Sequence, residues 1–94
     1  VVQYPENSDL QDALGWAYLL VGEAGNAAGH LEQALALDPD NVRALFHLGV
    51  LREQAGESGE ALELYEEASR LEPRGAFGAL ARRALARMRG ETVD

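Results

Sequence analysis

Residues 8–39 read SDLQDALGWAYLLVGEAGNAAGHLEQALALDP, and residues 42–73 read VRALFHLGVLREQAGESGEALELYEEASRLEP. Aligned end to end, the two segments agree at Leu14 and Leu48, Gly15 and Gly49, Gly22 and Gly56, Ala27 and Ala61, Ala34 and Ala68, Leu37 and Leu71, and Pro39 and Pro73. We call the offset between them one repeat length, and Pro5 lies one repeat length upstream of Pro39. Fixed periods of this size are typical of helical repeat proteins, in which each unit is a helix pair that cannot bury its apolar face alone.

The repeated residues resemble the tetratricopeptide repeat, whose pattern runs W-x-x-L-G-x-x-Y, then A-x-x-x-F, then A and P. The first copy supplies Leu14, Gly15, Tyr18, Ala27, Leu31, Ala34 and Pro39, with Gln11 in the Trp position. The second supplies Leu48, Gly49, Ala61, Tyr65, Ala68 and Pro73, with Leu45 in the Trp position and Arg52 in the Tyr position. The resemblance covers about residues 1–75. It implies an all-α solenoid of antiparallel helix pairs, a fragment of a right-handed superhelix, and a role as a binding scaffold.

Turn and capping signals predict five antiparallel helices joined by short connections. The first helix is predicted to open at Ser8 and to run to about residue 21, and the second to cover about 26–37. The third is predicted to follow its cap and to reach about residue 54, the fourth to follow its cap and to end near residue 71, and the fifth to cover about 76–89. Ser8 and Gln11 have the spacing of a capping box, Asp40 or Asn41 is expected to cap the third helix, and Ser58 the fourth. Asp38 and Pro39 end the second helix, because a proline disfavours helical geometry in the residue before it. Gly90 marks the end of the fifth.

Residues 1–94 are expected to form one domain. We divide it into the tail of a preceding repeat (1–7), repeat 1 (8–41), repeat 2 (42–75), a capping helix (76–90) and a tail (91–94). Residues 1–5 occupy the positions of residues 35–39 and 69–73, so we expect a piece of a longer protein. If the period continued past Pro73, Arg82 and Arg83 would occupy the positions of Leu48 and Gly49. Burying two unpaired charges is prohibitive. The fifth helix is therefore predicted to be a terminal cap over the fourth helix, rotated or slipped by about two residues relative to a third repeat.

Two glycines lie in the middle of predicted helices, where glycine costs about 1 kcal/mol relative to alanine. The resemblance implies that Gly15 and Gly49, with Ala27 and Ala61 opposite, let the two helices of one repeat approach closely. A flexible kink is the alternative.

The composition limits the classes of partner. The net charge is −8, every cationic side chain apart from histidine is an Arg, and neither Lys nor Ile occurs. A GC-rich genome and adaptation to high salt both fit this composition, since high negative charge is a lever that halophiles use. Acidic side chains concentrate in residues 1–73, so neither nucleic acid nor an anionic membrane is an expected partner. The longest apolar run, residues 16–21, is too short to span a bilayer. A cytoplasmic location is expected, with the periplasm left open.

No enzymatic activity, cofactor or metal site is predicted. The chain has no Cys, which removes thiolate chemistry. His30 lacks a second His four residues later, as a zinc-binding helix would need. The glutamates of residues 57–67 spread over a helix surface, which is the ordinary arrangement of a solvated face.

In the tetratricopeptide repeat family, which this sequence resembles, the first helix of each repeat lines a concave groove where a partner binds. The predicted groove residues are Asp9, Asp12, Trp16, Leu19, Leu20, Arg43, Phe46, His47, Val50, Glu53 and Gln54. Trp16 and Phe46 are the predicted anchors, because aromatic residues carry much of the binding energy of interfaces. Alternatively, Trp16 packs within a small core. The expected partner is a protein or peptide of basic or amphipathic character. A lysine-dependent clamp for a C-terminal carboxylate, known in some family members, is not expected here.

A structural role is the alternative function. The outer face of the first helix, around Tyr4, Leu10, Ala13 and Ala17, is expected to be apolar and bare. Such a face invites homodimerisation or stacking within a longer solenoid, with no separate ligand.

Overall fold

A computed structural model describes residues 5–90 of the chain. Within them lie five α-helices: α1 (Pro5–Leu20), α2 (Ala24–Leu37), α3 (Val42–Gln54), α4 (Ser58–Leu71) and α5 (Ala76–Met88). No strand occurs in this range. The predicted all-α helical repeat fold is confirmed.

The helices form a layered stack. Each helix packs against the next, and α3 also contacts both α1 and α5. The connections are short, as at residues 21–23 and 38–41, so neighbouring helices run antiparallel. The odd-numbered helices therefore line one side of the molecule, and α2 and α4 form the other.

Local chemistry explains most of the helix ends. The Asn41 side chain caps α3 by accepting a hydrogen bond from the backbone N–H of Ala44 at 3.2 Å. Gly22 and Gly56 both have a φ of +82°, the left-handed conformation that glycine adopts most readily after a helix. Helix α2 ends at Leu37, directly before Asp38 and Pro39, as predicted.

The start of α1 differs from the prediction. This helix begins at Pro5, a residue that the first turn of a helix accepts because its missing N–H would lack an intrahelical partner there. Ser8 is consequently not a cap but lies fully buried inside the helix. Residues 5–7 therefore belong to α1 rather than to the tail of a preceding repeat, while residues 1–4 lie outside the described residues.

Two further helix starts also differ. Helix α4 begins at Ser58, and its N-cap is Glu57, which makes no side-chain capping bond. Helix α2 begins at Ala24, two residues before the predicted start, with Glu23 as its N-cap. The predicted serine caps were therefore wrong at both Ser8 and Ser58.

The mid-helix glycines mark close contacts, as predicted. A Cβ added to Gly15 would lie 2.6 Å from Cγ of Leu31, and one added to Gly49 would lie 2.7 Å from Cε1 of Tyr65. The residues that fill the space are thus the large side chains of Leu31 and Tyr65, more than the alanines predicted opposite.

The fifth helix keeps the phase of the repeat, so the predicted slip of about two residues was wrong. Helix α5 begins at Ala76, one repeat length after the first residue of α3, Val42. Gly78, Ala81 and Leu85 are buried, as are their equivalents in α3, which are Ala44, His47 and Leu51. Arg82 and Arg83 nevertheless remain exposed. Nη1 of Arg82 donates to the backbone carbonyl of Pro73, and within residues 5–90 no helix lies against Arg83 as α4 lies against Gly49. The charge burial that argued against an in-phase α5 therefore does not arise.

Two hydrophobic clusters form the core. The first contains Ala27, Leu31, Leu48 and Leu51, and joins α2 to α3. The second joins α3, α4 and α5 through Leu45, Ala61, Tyr65, Ala68, Ala81, Ala84 and Leu85.

Candidate protein-interaction groove

A row of ring side chains crosses the side of the molecule lined by the odd-numbered helices. The ring of Trp16 in α1 stacks on that of His47 in α3, with centroids 4.3 Å apart. The His47 ring meets the edge of Phe77 in α5 at 5.6 Å. Phe46 lies 6.0 Å from Phe77 and 5.7 Å from Tyr65. We call these five residues the aromatic row; it links α1, α3, α4 and α5.

A buried polar pair supports the row. Nδ1 of His47 and Oδ1 of Asp12 are 2.7 Å apart, and the two residues are only 7% and 4% exposed. This hydrogen bond connects α1 to α3 and holds the imidazole ring against Trp16. Both side chains therefore serve the interior of the domain.

A second polar cluster ties α3, α4 and α5 together. The Tyr65 hydroxyl donates a hydrogen bond to Oε1 of Glu53 at 2.9 Å, and Nη2 of Arg87 donates to the same oxygen at 2.9 Å. The bond from Arg87 is the main cause of a lowered pKa of Glu53, and the Tyr65 bond acts in the same direction. Burial, together with the carboxylate of Glu53, raises the pKa of Tyr65.

An open hollow of about 450 Å³ lies beside this cluster. Its lining comprises Phe46, Val50, Glu53, Gln54, Tyr65, Leu80, Arg83, Ala84 and Arg87. The lining thus combines apolar side chains with the charged groups of Glu53, Arg83 and Arg87.

The other predicted groove residues have different surroundings. The guanidinium carbon of Arg43 lies 5.7 Å from the ring centre of Phe77. Asp9 accepts a hydrogen bond from Nδ2 of Asn41 at 3.1 Å. Leu19 is half-buried and packs against the cluster between α2 and α3, so it contributes to the core. Leu20 is 67% exposed.

Sequence reasoning missed several residues of this side. Phe77, Leu80, Arg83 and Arg87 lie one repeat length after Arg43, Phe46, Gly49 and Glu53. Continuing the repeat alignment past Pro73 would have identified them. We did not continue it, because an in-phase third copy was expected to bury Arg82 and Arg83. Tyr65 could be predicted only as a core residue, since its hydroxyl reaches Glu53 from α4.

Among residues 5–90, no helix is long and apolar enough to cross a membrane. The same residues contain no cluster of three or more His, Cys, Asp or Glu side chains that could hold a metal ion.

The helix pairs are stacked, and the first helix of each pair lies on the same side of the molecule. This arrangement defines the class of protein as an α-solenoid. Comparison with known families narrows the class, because the tetratricopeptide repeat profile matches residues 13–76. The chain belongs to the tetratricopeptide repeat family. Repeats of this family generally mediate protein–protein interaction, and the family is a non-catalytic scaffold.

Three curated proteins are similar to parts of the chain. The cytochrome c-type biogenesis protein CycH of Rhizobium meliloti (strain 1021) is 38% identical over 64 residues, which are 63% of this chain and 17% of that protein. The protein CTR9 homolog of Arabidopsis thaliana is 38% identical over 63 residues, 67% of this chain and 6% of that protein. The BBSome complex member BBS4 of Bos taurus is 36% identical over 62 residues, 66% of this chain and 12% of that protein. The chain thus spans less than a fifth of each relative's length, and no solved structure matches it significantly.

Proposed function

We propose that the chain is a protein-interaction module that binds a peptide or an extended segment of a partner protein across α1, α3 and α5. The observation that carries this proposal is the placement of Trp16. Its ring is half-buried and lies on His47, a residue that the buried Asp12 holds in place. A tryptophan on such a rigid support is suited to act as a binding anchor, since anchors of interfaces are often Trp in well-packed surroundings.

The surroundings of the acidic residues favour an amphipathic ligand over a purely basic one. Asp12 is bonded to His47, and Glu53 is bonded to Tyr65 and Arg87. Neither carboxylate is thus held ready for a ligand cation. The net charge of −8 still attracts basic partners at long range. We therefore expect a segment with apolar side chains over Trp16 and the hollow, and with basic residues at its edges.

Selection of binding peptides from a displayed random library, followed by affinity measurement, tests the proposal. Trp16→Ala is expected to weaken a selected peptide by about 1–2 kcal/mol, or roughly five- to thirtyfold in Kd. Gln33→Ala is the control, because Gln33 is exposed on α2 and lies outside both the aromatic row and the odd-numbered helices. Equal affinities for the parent chain and Trp16→Ala would contradict the groove assignment.

Phe46→Ala tests groove binding less directly than Trp16→Ala does. Phe46 contacts Tyr65 and Phe77 and packs against the cluster between α3, α4 and α5. Truncation of this side chain therefore removes core packing as well as a groove contact. We therefore expect Trp16→Ala, but not Phe46→Ala, to leave the stability of the fold largely unchanged.

A structural role within a longer solenoid is the second candidate. The bare outer face of α1 favours it, since Leu10, Ala13 and Ala17 are all exposed, as the sequence predicted. Tyr4, which was expected to join this face, lies outside the described residues. In this role the chain would stack on other helices and bind no separate ligand.

A further inference from the structure

The outer side of α1 carries an apolar stripe, which we call the α1 stripe. It consists of Leu10, Ala13, Leu14, Ala17, Leu20 and Val21. Spacings of three and four residues place these side chains on one side of the helix, opposite the buried Ser8, Asp12 and Gly15. Of the large hydrophobic residues exposed in the described chain, Leu10, Leu14, Leu20 and Val21 are 57%, 37%, 67% and 70% exposed.

Equivalent positions are covered elsewhere in the molecule. Leu48 and Leu51 of α3 lie one repeat length after Leu14 and Ala17, and they pack against α2. Leu85 of α5 lies one repeat length after Leu51 and is buried against α4. In α3 and α5, the face equivalent to the α1 stripe is thus covered by the preceding helix. Within the described residues, no helix precedes α1 to cover the stripe itself.

The opposite end of the stack is also uncovered within the described residues. Ala79 and Arg83 of α5 correspond to Leu45 and Gly49 of α3, which are both buried beneath α4. On α5, Arg82 and Arg83 are exposed, and Ala79 and Ala86 are partly exposed beside them. We call these four residues the α5 face.

The two ends carry opposite charge. Every charged residue between positions 5 and 41 is an Asp or Glu, apart from histidine, and every one between positions 74 and 90 is an Arg. Asp9 and Glu23, both exposed, lie near the two ends of the α1 stripe. Opposite charges on matching faces favour encounter between them, and like charges disfavour it.

We propose that the α1 stripe binds the α5 face of a second copy of this chain, so that copies stack head to tail. The methylene groups of Arg82 and Arg83 cover the leucines of the stripe. Nη1 of Arg82 donates to the backbone carbonyl of Pro73 within its own chain, so it is the Arg83 guanidinium that lies towards the acidic end of the partner copy. A symmetric contact between two α1 stripes would instead bring two acidic ends together. This inference deepens the structural role proposed above. It uses neither Trp16 nor Phe46, and Arg83 is the one residue of the α5 face that also lines the hollow.

Head-to-tail contact has a distinct signature in solution. The contact uses different surfaces on the two copies, so association does not close at a dimer, and the average mass rises with concentration. Association should also weaken on going from about 0.05 M to about 0.5 M salt, because screening removes the attraction between acidic and basic ends. A symmetric α1 dimer would stop at twice the monomer mass and would strengthen with salt.

Two variants that each block one surface provide the decisive test by sedimentation equilibrium. Leu10→Gln with Ala17→Gln alters the α1 stripe at exposed positions, and Arg82→Glu with Arg83→Glu reverses the charge of the α5 face. Circular dichroism checks that both variants fold. Each variant alone should be monomeric at concentrations at which the parent chain associates.

Mixing the two variants should restore one contact. The variant with Arg82→Glu and Arg83→Glu still has an intact α1 stripe, and the variant with Leu10→Gln and Ala17→Gln still has an intact α5 face. These two surfaces can bind each other, which gives a one-to-one complex that cannot extend. Three results would overturn the proposal: a parent chain that stays monomeric at all concentrations, a mixture that stays monomeric, or an α5 variant that still dimerises alone. A monomeric parent chain would leave stacking on a different helix untouched, so failure of self-stacking is distinguishable from failure of the structural role.

Discussion

Two glycines of the same chain are expected to respond to alanine with opposite signs. An added Cβ at Gly49 would lie 2.7 Å from Tyr65, whereas one at Gly29, inside α2, would meet nothing within 4 Å. Gly49→Ala should therefore lower the free energy of unfolding by about 1–3 kcal/mol through overpacking. Gly29→Ala should raise it by up to about 1 kcal/mol, because alanine is the better helix former.

Urea unfolding followed by circular dichroism measures both values, and Gly29→Ala is the matched control for the change in helix propensity. A Gly49→Ala protein as stable as Gly29→Ala would show that α3 and α4 do not approach closely at this point.

Two serines predicted as caps provide another contrast. The Ser8 hydroxyl donates to the Ala34 carbonyl at 2.8 Å and accepts from Nδ2 of Asn41 at 2.8 Å. Ser8→Ala removes both bonds, although the Ala34 carbonyl still accepts from the N–H of Asp38 and Nδ2 of Asn41 still donates to Asp9. The loss of two buried hydrogen bonds should cost about 1–2 kcal/mol of unfolding free energy. Ser58→Ala, at an exposed first helical residue, should change it by less than about 0.5 kcal/mol. Urea denaturation measures both changes, provided that the dependence of the unfolding free energy on urea is the same for each variant. An equally large loss for Ser58→Ala would contradict the assignment of Glu57, rather than Ser58, as the N-cap of α4.

For single residues, the sequence indicated which side chains are important better than it indicated what each side chain contacts. A serine before an apolar run is a common helix cap, so Ser8 was assigned to the wrong side of the helix boundary. Its actual partners, Ala34 and Asn41, are distant in the chain, and no local pattern reveals such contacts. The same holds for Trp16, whose support by His47 depends on the packing of α1 on α3.

Among the elements, α5 departs most from expectation. All five helices could be predicted, since helix ends depend on nearby glycine, proline and asparagine. The phase of α5 could not, because whether Arg82 and Arg83 are buried depends on whether another helix covers them. Charge alone argued for a slip, while the spacing of one repeat length from α3 to α5 was already present in the sequence.

The attachment of α5 to α3 is expected to depend on pH. The pKa of Glu53 is lowered below its ordinary value of 4.5, chiefly by the hydrogen bond from Arg87. A carboxylate with a lower pKa in the folded state stabilises the fold above the pKa of the unfolded chain. This contribution is lost as the pH falls through the folded value. For a partly exposed ion pair it amounts to about 0.5 kcal/mol.

Glu53→Gln should therefore lose less stability than the parent chain between about pH 6 and about pH 3, as measured by urea unfolding at each pH. Glu67, whose pKa Arg70 also lowers, is present in both proteins and cancels in the difference. Arg87→Gln should reproduce the flatter profile, because it removes the main cause of the shift. Parallel profiles for all three proteins would show that the Glu53 and Arg87 contact does not contribute.

As a whole, the molecule carries a large excess of negative charge, and its own stability should rise with salt. A net charge of −8 on 94 residues opposes the compact state through repulsion between acids. At protein concentrations too low for association, Tm is expected to increase between about 0.05 M and about 1 M sodium chloride. Potassium chloride is the control, since simple screening does not distinguish the two cations. A constant or falling Tm would remove adaptation to salt as an explanation of the composition and leave a GC-rich genome.

The in-phase α5 also makes the chain a candidate for modular extension by design. Changing Arg82 to Leu and Arg83 to Gly restores the residues that α3 carries at these positions, of which Leu48 packs against α2 and Gly49 lies against Tyr65 of α4. A duplicate of residues 57–75 joined after Gly90 would then pack on α5 as α4 packs on α3, and the array would gain a further repeat. Because the stability of such arrays is roughly a sum over units and their interfaces, the longer protein should melt at a higher temperature. Two neighbouring codons thus decide whether the α5 face resembles the face by which α3 accepts its next helix.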